Sequence, residues 1–322
     1  MKPLRYGIIS TASIVPRFIA ALRESGGGEA VAIASRSADK AALKAAEWNI
    51  ERSFGSYEDM VRDSDVDVVY VATINSDHYR CAKMALERGR HVVCEKPFTL
   101  RSSEARELFA IAKERGLFIA EGQKAVFLPV MSDIKRLLAS KELGRVHFMD
   151  LTSSCSPTYN EWLRSPEAGG GALYGNAGYT IHLAKFLFDA DITAYSGLCT
   201  CAGGVDEQCA VNLRVGDGIL VTSRISANVL AVNNKALIQC DGGYIEMADY
   251  WKAREATVYF NSGKKETFSH PCRHELIYEI EHFNGCIALG LPQSPVMSEA
   301  VTVNAIEIME GIRASWASPL KS

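Results

Sequence analysis

The string Asp65-Val66-Asp67-Val68-Val69-Tyr70-Val71-Ala72 limits what this chain can fold into more than any other segment does. From Val66 to Ala72 it is nearly continuously β-branched or aromatic, which suits a strand covered on both faces; a strand with one wet face would alternate apolar and polar residues. Two-sided cover requires helices, and the first 120 residues supply them in alternation. Strands are expected at 5–10, 30–35, 66–72, 91–94 and 117–120, and helices at 14–22, 38–48, 76–88 and 102–115. Repeated βαβ units with short connections predict a doubly wound parallel sheet.

The texture changes after about residue 122. A helix near 129–139 is followed by strand-like segments at 146–154, 194–200, 207–215, 219–227, 235–240 and 257–260, with few helices between them. The turn strings Gly216-Asp217-Gly218 and Asp241-Gly242-Gly243 are hairpin chemistry. Helices are expected at 178–188, 274–289 and 298–315. The fold class is therefore α/β, with a doubly wound domain over 1–121 and an α/β domain with a large, mainly antiparallel open sheet over 122–322. No internal repeat or low-complexity linker interrupts it.

Composition narrows the function classes. With 48% apolar residues and a net charge of −3, the chain has neither a basic stripe for a phosphate backbone nor a polybasic membrane patch. No apolar run approaches the roughly 18 residues of a membrane span, and Met1-Lys2-Pro3-Leu4-Arg5 leads into a strand rather than a signal peptide's apolar region. Neither nucleic acid nor membrane is an expected partner, and the expected location is the cytoplasm. The nine cysteines are an odd number set mostly in apolar runs, which suits reduced thiols. Cys199-Thr200-Cys201 is the one close pair; packing explains it better than zinc, because no second ligand pair lies nearby, and no metal is expected.

The chemistry-bearing residues follow the strands. After the first strand comes Ser10-Thr11-Ala12-Ser13-Ile14, with Ser10 and Ala12 where a glycine-rich phosphate turn has its first two glycines. Small residues still allow a phosphate to approach the backbone amides at the start of the helix, and the hydroxyls add donors. After the second strand comes Ser35-Arg36-Ser37, with Lys40 one turn on and no carboxylate at the strand end. A carboxylate there would accept from a ribose hydroxyl, whereas cations pair with a 2′-phosphate, so NADP is the expected cofactor and NAD the alternative. A solvated helix entry would read the same way. Thr73, Asn75 and His78 follow the third strand, and Ser76 reads as a helix N-cap. Asn75 and His78 are candidates for the nicotinamide half or simply polar residues at a helix start. Glu95-Lys96-Pro97 follows the apolar run 91–94, placing a lysine at the carboxyl end of a buried strand, where either a proton-transfer network or a plain surface turn would use it.

Taken in order, these strings resemble the Gfo/Idh/MocA family (glucose-fructose oxidoreductase, inositol dehydrogenase, rhizopine catabolism) over essentially the whole chain. The segment Trp162-Leu163-Arg164-Ser165-Pro166-Glu167-Ala168-Gly169-Gly170-Gly171-Ala172-Leu173 is similar to the one before the family's catalytic helix, and Tyr278 to Phe283 and Ser294-Pro295 continue the likeness. The Ser-Thr-Ala turn is similar to that of the NADP-dependent dihydrodiol and xylose dehydrogenase branch. The resemblance implies a Rossmann domain followed by a sheet domain that often joins subunits, hence a homodimer or homotetramer through the C-terminal sheet. It implies a cis Lys96–Pro97 bond, Lys96 beside the nicotinamide, and Glu95, Trp162 and Arg164 at the cofactor.

The family's catalytic helix usually carries an aspartate and, four residues later, a histidine or tyrosine; counted from the glycine triplet these positions are Gly175 and Tyr179. The tyrosine matches and the aspartate does not. Hydride transfer at a carbinol or carbonyl carbon requires a proton to move at the oxygen, which Tyr179 near Lys96 can supply, with His182 as the alternative acid/base and Asn176 as a partial substitute for the aspartate. The expected function is NADP(H)-dependent oxidation or reduction of a sugar, polyol or related small molecule. Gly175 motivates one alternative, a catalytically silent NAD(P)-binding regulator, and a redox-assisted lyase or glycosidase is a third reading.

Overall fold

The computed structural model describes residues 2–154, 161–228 and 234–316. Its chain divides into two compact units, Met1–Gln123 with His274–Val303, and Lys124–Arg273 with Asn304–Ser322. Among the described residues no helix is long and apolar enough to cross a membrane.

In the first unit, strands β1 (Leu4–Ile9), β2 (Gly28–Ala34), β3 (Arg52–Phe54), β4 (Val68–Val71), β5 (His91–Glu95) and β6 (Ile119–Gly122) form one sheet of order β3-β2-β1-β4-β5-β6, with every pair parallel. Helices α1 (Val15–Ser25), α2 (Ala38–Trp48), α3 (Tyr57–Arg62), α4 (His78–Glu87) and α5 (Ser102–Arg115) make the crossovers. All four residues of β4 are buried, as the apolar run requires. The short β3 and α3 are additions to the sequence reading: three residues containing one serine give no periodic signal. Ser76 is not the cap of α4. A 3-10 turn over Asn75–Asp77 precedes the helix, and Asp77 holds the cap position without a side-chain capping bond.

A single boundary between residues 121 and 122 does not describe the packing, because the segment 274–303 returns to the first unit. Its helix α8 (Ile277–Ala288) packs on α1. Buried Tyr6 on β1 donates its hydroxyl to Asn284 Oδ1 at 2.5 Å, Arg17 pairs with buried Glu275, and Ile119 bridges to Gln293 in parallel.

The second unit carries β7 (Val146–Ser154), β8 (Ile192–Ala202), β9 (Val205–Val215), β10 (Ile219–Ser226), β11 (Lys235–Cys240), β12 (Gly243–Ala248), β13 (Glu255–Phe260) and β14 (Lys265–Ser269), in the order β14-β13-β12-β11-β7-β10-β9-β8. All pairs are antiparallel except β7 with β10. Both expected hairpins form, joining β9 to β10 and β11 to β12. β12 and β14 went unread because β12 begins inside a glycine turn and β14 is a largely polar edge strand. On β7, Met149 and Leu151 are buried while Phe148 and Asp150 face water, so one face of the sheet is covered and the other open. Helices α6 (Pro129–Ser140), α7 (Gly178–Phe188) and α9 (Glu299–Trp316) accompany it; Trp316 Nε1 donates to Gly197 O at 3.0 Å. The eight described cysteines are free thiols, and Cys155 lies outside the described residues.

If the returning segment helps to hold the first unit, Tyr6→Phe will leave Asn284 without its donor and cost about 1–2 kcal/mol. Urea unfolding measures this; an unchanged midpoint would show that the hydroxyl contributes nothing.

Candidate active site

Parallel strands in register bring their following loops to one edge. Ile9 of β1 pairs with Ala34 of β2 and with Val71 of β4, which pairs with Cys94 of β5. The residues singled out after each strand therefore share the carboxyl edge of the sheet. Between β1 and β4 the strand order reverses, and such a reversal opens the crevice in which doubly wound sheets hold ligands.

Ser10 sits at the end of β1 with φ 100°, a region L-residues enter at a cost of about 1–2 kcal/mol. Its amide donates to Ala34 O at 3.0 Å and its Oγ accepts from Ala12 N at 3.1 Å, so the serine makes the turn a glycine would. α1 then begins at Val15, with Ile14 at the cap position making no side-chain cap and a proline in the first turn. Uncapped amides at the start of a helix, behind small residues, fit a dinucleotide's pyrophosphate. At the end of β2, Ser35 is buried and its Oγ accepts from Ser37 N at 3.4 Å, while Ser37 Oγ caps α2 through Lys40 N at 3.3 Å. Arg36 and Lys40 are exposed, and neither makes an ion pair among the described residues.

The Glu95-Lys96-Pro97 turn is held from three sides. Tyr70 on β4 donates to Glu95 Oε1 at 2.6 Å, and Lys96 N donates to Glu95 Oε2 at 3.3 Å. Buried Glu121 on β6 accepts from Phe98 N at 3.3 Å. His78 places Nδ1 2.8 Å from Pro97 O and Nε2 3.2 Å from Thr73 O. The Lys96–Pro97 bond is cis. His78 is thus buried against two backbone carbonyls as a brace for this turn, and Glu95 likewise spends its carboxylate on holding it. Asn75 is buried in the 3-10 turn after β4. Gln123, just past β6, was not foreseen: its side chain is fully buried, and neither amide atom has a hydrogen-bond partner among the described residues.

In the second unit, Trp162 and Arg164 lie in the 3-10 turn Glu161–Arg164, half-buried and exposed respectively. The glycines after it are sites of close approach. A Cβ on Gly170 would lie 2.3 Å from Leu163 O, and one on Gly171, at φ 108°, would lie 2.1 Å from Asp206 Oδ1. The Asp206 carboxylate accepts from Leu173 N at 2.7 Å, and burial raises its pKa. A π-helical turn over Leu173–Ala177 leads into α7 and contains Gly175 and Asn176. Gly175 is not a position of necessity: a Cβ there would meet only Leu163 Cδ2, at 3.8 Å. Tyr179 and His182 are buried on α7, and Thr180 ties that helix to β10 through Ser223 Oγ at 2.9 Å. Beside Tyr179 stand the Trp251 ring, stacked at 6.1 Å, and the buried Lys124, whose Nζ is 5.8 Å from the tyrosine ring centroid. Sequence reasoning missed Lys124, because a lysine two residues past a strand carries no periodic signal of burial. Among the described residues no group of three or more His, Cys, Asp or Glu side chains is arranged to hold a metal ion.

Burial holds His78, His91 and His282 below the ordinary histidine pKa. The unfolded chain therefore takes up these protons first as pH falls, so their contribution is complete above about pH 6.5 and is lost below it. The urea midpoint should drop between about pH 7.5 and 5.5, and His78→Asn should lower it at the higher pH while flattening the acid decline. A midpoint that rises on acidification would contradict the assignment.

Comparison with known proteins agrees with this geometry. Residues 4–123 match the family described as "Oxidoreductase family, NAD-binding Rossmann fold", and residues 131–246 match the "GFO/IDH/MocA C-terminal domain". Trans-1,2-dihydrobenzene-1,2-diol dehydrogenase of Xenopus laevis is 31% identical over 325 residues, covering 95% of this chain and 96% of that protein. The scyllo-inositol 2-dehydrogenase (NADP(+)) of Bacillus subtilis (strain 168) is 27% identical over 321 residues, covering 96% of each. Levoglucosan dehydrogenase in complex with NADH and levoglucosan superposes with a TM-score of 0.87 at 20% identity, over 98% of each chain, which is a likeness of fold. With both family models matched in order and a relative 31% identical over 95% of the chain, the chain belongs to the Gfo/Idh/MocA family and is an NAD(P)-dependent oxidoreductase acting on CH–OH groups.

Proposed function

We propose that this chain oxidises a secondary alcohol of a sugar, polyol or related small molecule, or reduces the corresponding ketone, with NADP(H) as its cofactor and Lys96 and Tyr179 as the core of proton transfer. The observation that carries this reading is the Glu95-Lys96-Pro97 turn, clamped by Tyr70, His78 and Glu121 at the ligand edge of the sheet. A turn held from three elements keeps a lysine in one place, as a reacting group requires. The two curated relatives named above, a dihydrodiol and an inositol dehydrogenase, support a polyhydroxylated substrate.

When bound, the nicotinamide supplies a hydride acceptor or donor. The alcohol's hydroxyl proton must leave as its C–H hydrogen departs with both electrons, and Tyr179 takes that proton as phenolate; in reduction it returns one to the ketone oxygen. Lys96, as a cation, orients the substrate oxygen and stabilises its developing negative charge. At the other end, the exposed Arg36 and Lys40 receive the 2′-phosphate, which no carboxylate at the end of β2 opposes.

Self-association through the second sheet accompanies this reading. Phe148, Leu198, Leu220 and Tyr244 are exposed large apolar residues, and the strand register sets them on one face. An open apolar face of this kind is commonly covered by a second copy. The free thiols support a cytosolic location.

Two measurements test the reading. Titration of tryptophan fluorescence with NADPH and NADH should favour NADPH, and Arg36→Ala with Lys40→Ala should weaken NADPH by roughly tenfold while sparing NADH; a native preference for NADH would refute the role of Arg36 and Lys40. Turnover with NADP⁺ should be assayed on scyllo-inositol, levoglucosan and trans-1,2-dihydrobenzene-1,2-diol, with Lys96→Ala and Tyr179→Phe each lowering kcat/KM by at least about 100-fold. Full activity in both variants would sink the mechanism. Tight cofactor binding without turnover on any of the three would favour the silent-regulator reading that Gly175 motivates.

A further inference from the structure

Gln123 ends the first unit and is the residue immediately after β6. Its side chain is 0% exposed, and neither Oε1 nor Nε2 has a hydrogen-bond partner among the described residues. A primary amide has two N–H bonds to give and a carbonyl to accept with, and leaving all of them unanswered away from water opposes folding. An unbranched apolar side chain of similar length would fill the same space without that penalty. Buried polar groups left unanswered are few in folded chains, and they gather where function has a use for them.

The position of Gln123 in the sheet says what that use is. A doubly wound sheet holds a dinucleotide across its crevice, one nucleotide to each half. With the adenosine end at the cations after β2, the half formed by β4, β5 and β6 is left to the nicotinamide nucleotide. Gly122 pairs with Glu95, and a Cβ on Gly122 would lie 3.7 Å from Glu95 Oε1, so Gln123 and Lys96 follow paired residues on adjacent strands. Around them His78, Glu95 and Glu121 bond the lysine turn itself. Gln123 has the chemistry to bond a ligand there. The hydrogen-bonding group of a nicotinamide ring is its 3-carboxamide, which is the complement of a glutamine head group, each amide offering an N–H to the other's carbonyl. Rotation about the glutamine's side-chain torsions lets that head group meet an incoming amide without moving β6.

We infer that Gln123 is a cofactor-binding residue whose amide pairs with the nicotinamide carboxamide and fixes the rotation of the ring. The inference rests on the proposed place of Lys96 beside the nicotinamide. Burial, which makes the amide a liability in the free chain, strengthens its bond in the complex, where no water competes for it.

Stability and binding of the full chain test this together. In the free chain Gln123→Met should raise the urea midpoint, and saturating dinucleotide should then raise the variant's midpoint by less than it raises the native one. Calorimetric titration uses NADP⁺, its 3-acetylpyridine analogue, which keeps the carbonyl and lacks the amide N–H, and 2′-phospho-ADP-ribose, which lacks the ring; the NAD⁺ series replaces these if the native chain binds NAD⁺ more tightly. The native chain should bind the nicotinamide form about fivefold more tightly than the acetylpyridine form, and Gln123→Met should bind the two alike while keeping its affinity for the ligand without a ring. Equal native affinity for the first two would overturn the inference without any variant. So would a preference that survives in Gln123→Met, an equal loss of affinity for all three ligands, or a free-chain midpoint lowered in both Gln123→Met and Gln123→Leu. Gln123→Leu serves for the titrations if the methionine variant does not fold. Full turnover of Lys96→Ala would instead defeat the proposed proton transfer and leave these affinities standing.

Discussion

Two-sided burial of the central strands is the constraint from which the first unit follows. β4 leaves no residue to water, and β1 and β5 bury most of theirs, so polar groups cannot lie along these strands and collect where the strands end. Parallel pairing then sends all those ends the same way. The Ser-Thr-Ala turn after β1, the cationic end of β2 and the lysine turn are neighbours for this reason, although they are dispersed over some ninety residues of sequence. Chemistry in this unit is a consequence of where burial forbids polarity.

The same constraint explains what could be read from the sequence and what could not. Val66 to Ala72 and the strand 146–154 were legible because apolar periodicity is local and each strand satisfies it alone. Arg52–Phe54 was not, since a three-residue edge strand is defined by its neighbour β2 rather than by its own composition. The return of 274–303 was invisible for a stronger reason: the Tyr6–Asn284 and Arg17–Glu275 pairs join residues more than 250 positions apart. The candidate site divides along the same line. Lys96 announced itself by following an apolar run, whereas the burial of Lys124 depends on a helix fifty residues further on.

His78 shows how a polar residue near a site can serve the backbone. Its ring meets two backbone carbonyls, and a neutral imidazole has one N–H to give. Protonation would answer both carbonyls, yet burial outweighs that gain and keeps the ring neutral, with the shorter approach going to Pro97. The residue expected from sequence as a candidate cofactor contact also fixes the backbone beneath Lys96. The three clamps differ in kind, a phenol, an imidazole and a carboxylate, and each comes from a different element, so displacing the turn means breaking all three.

In the second unit, packing separates the glycines that are needed from the one that is not. Gly170 and Gly171 admit Leu163 O and the Asp206 carboxylate where a side chain would collide, which aligns the entry to α7. Gly175 has room for a side chain and carries none, so what the chain has given up there is a carboxylate rather than a shape. An aspartate in that π-turn would bring a negative charge toward the phenol of Tyr179 and oppose its ionisation. If Tyr179 is the base proposed above, the lack of that charge removes one opponent of its ionisation, so a tyrosine without the family's acidic partner is not for that reason a weaker base.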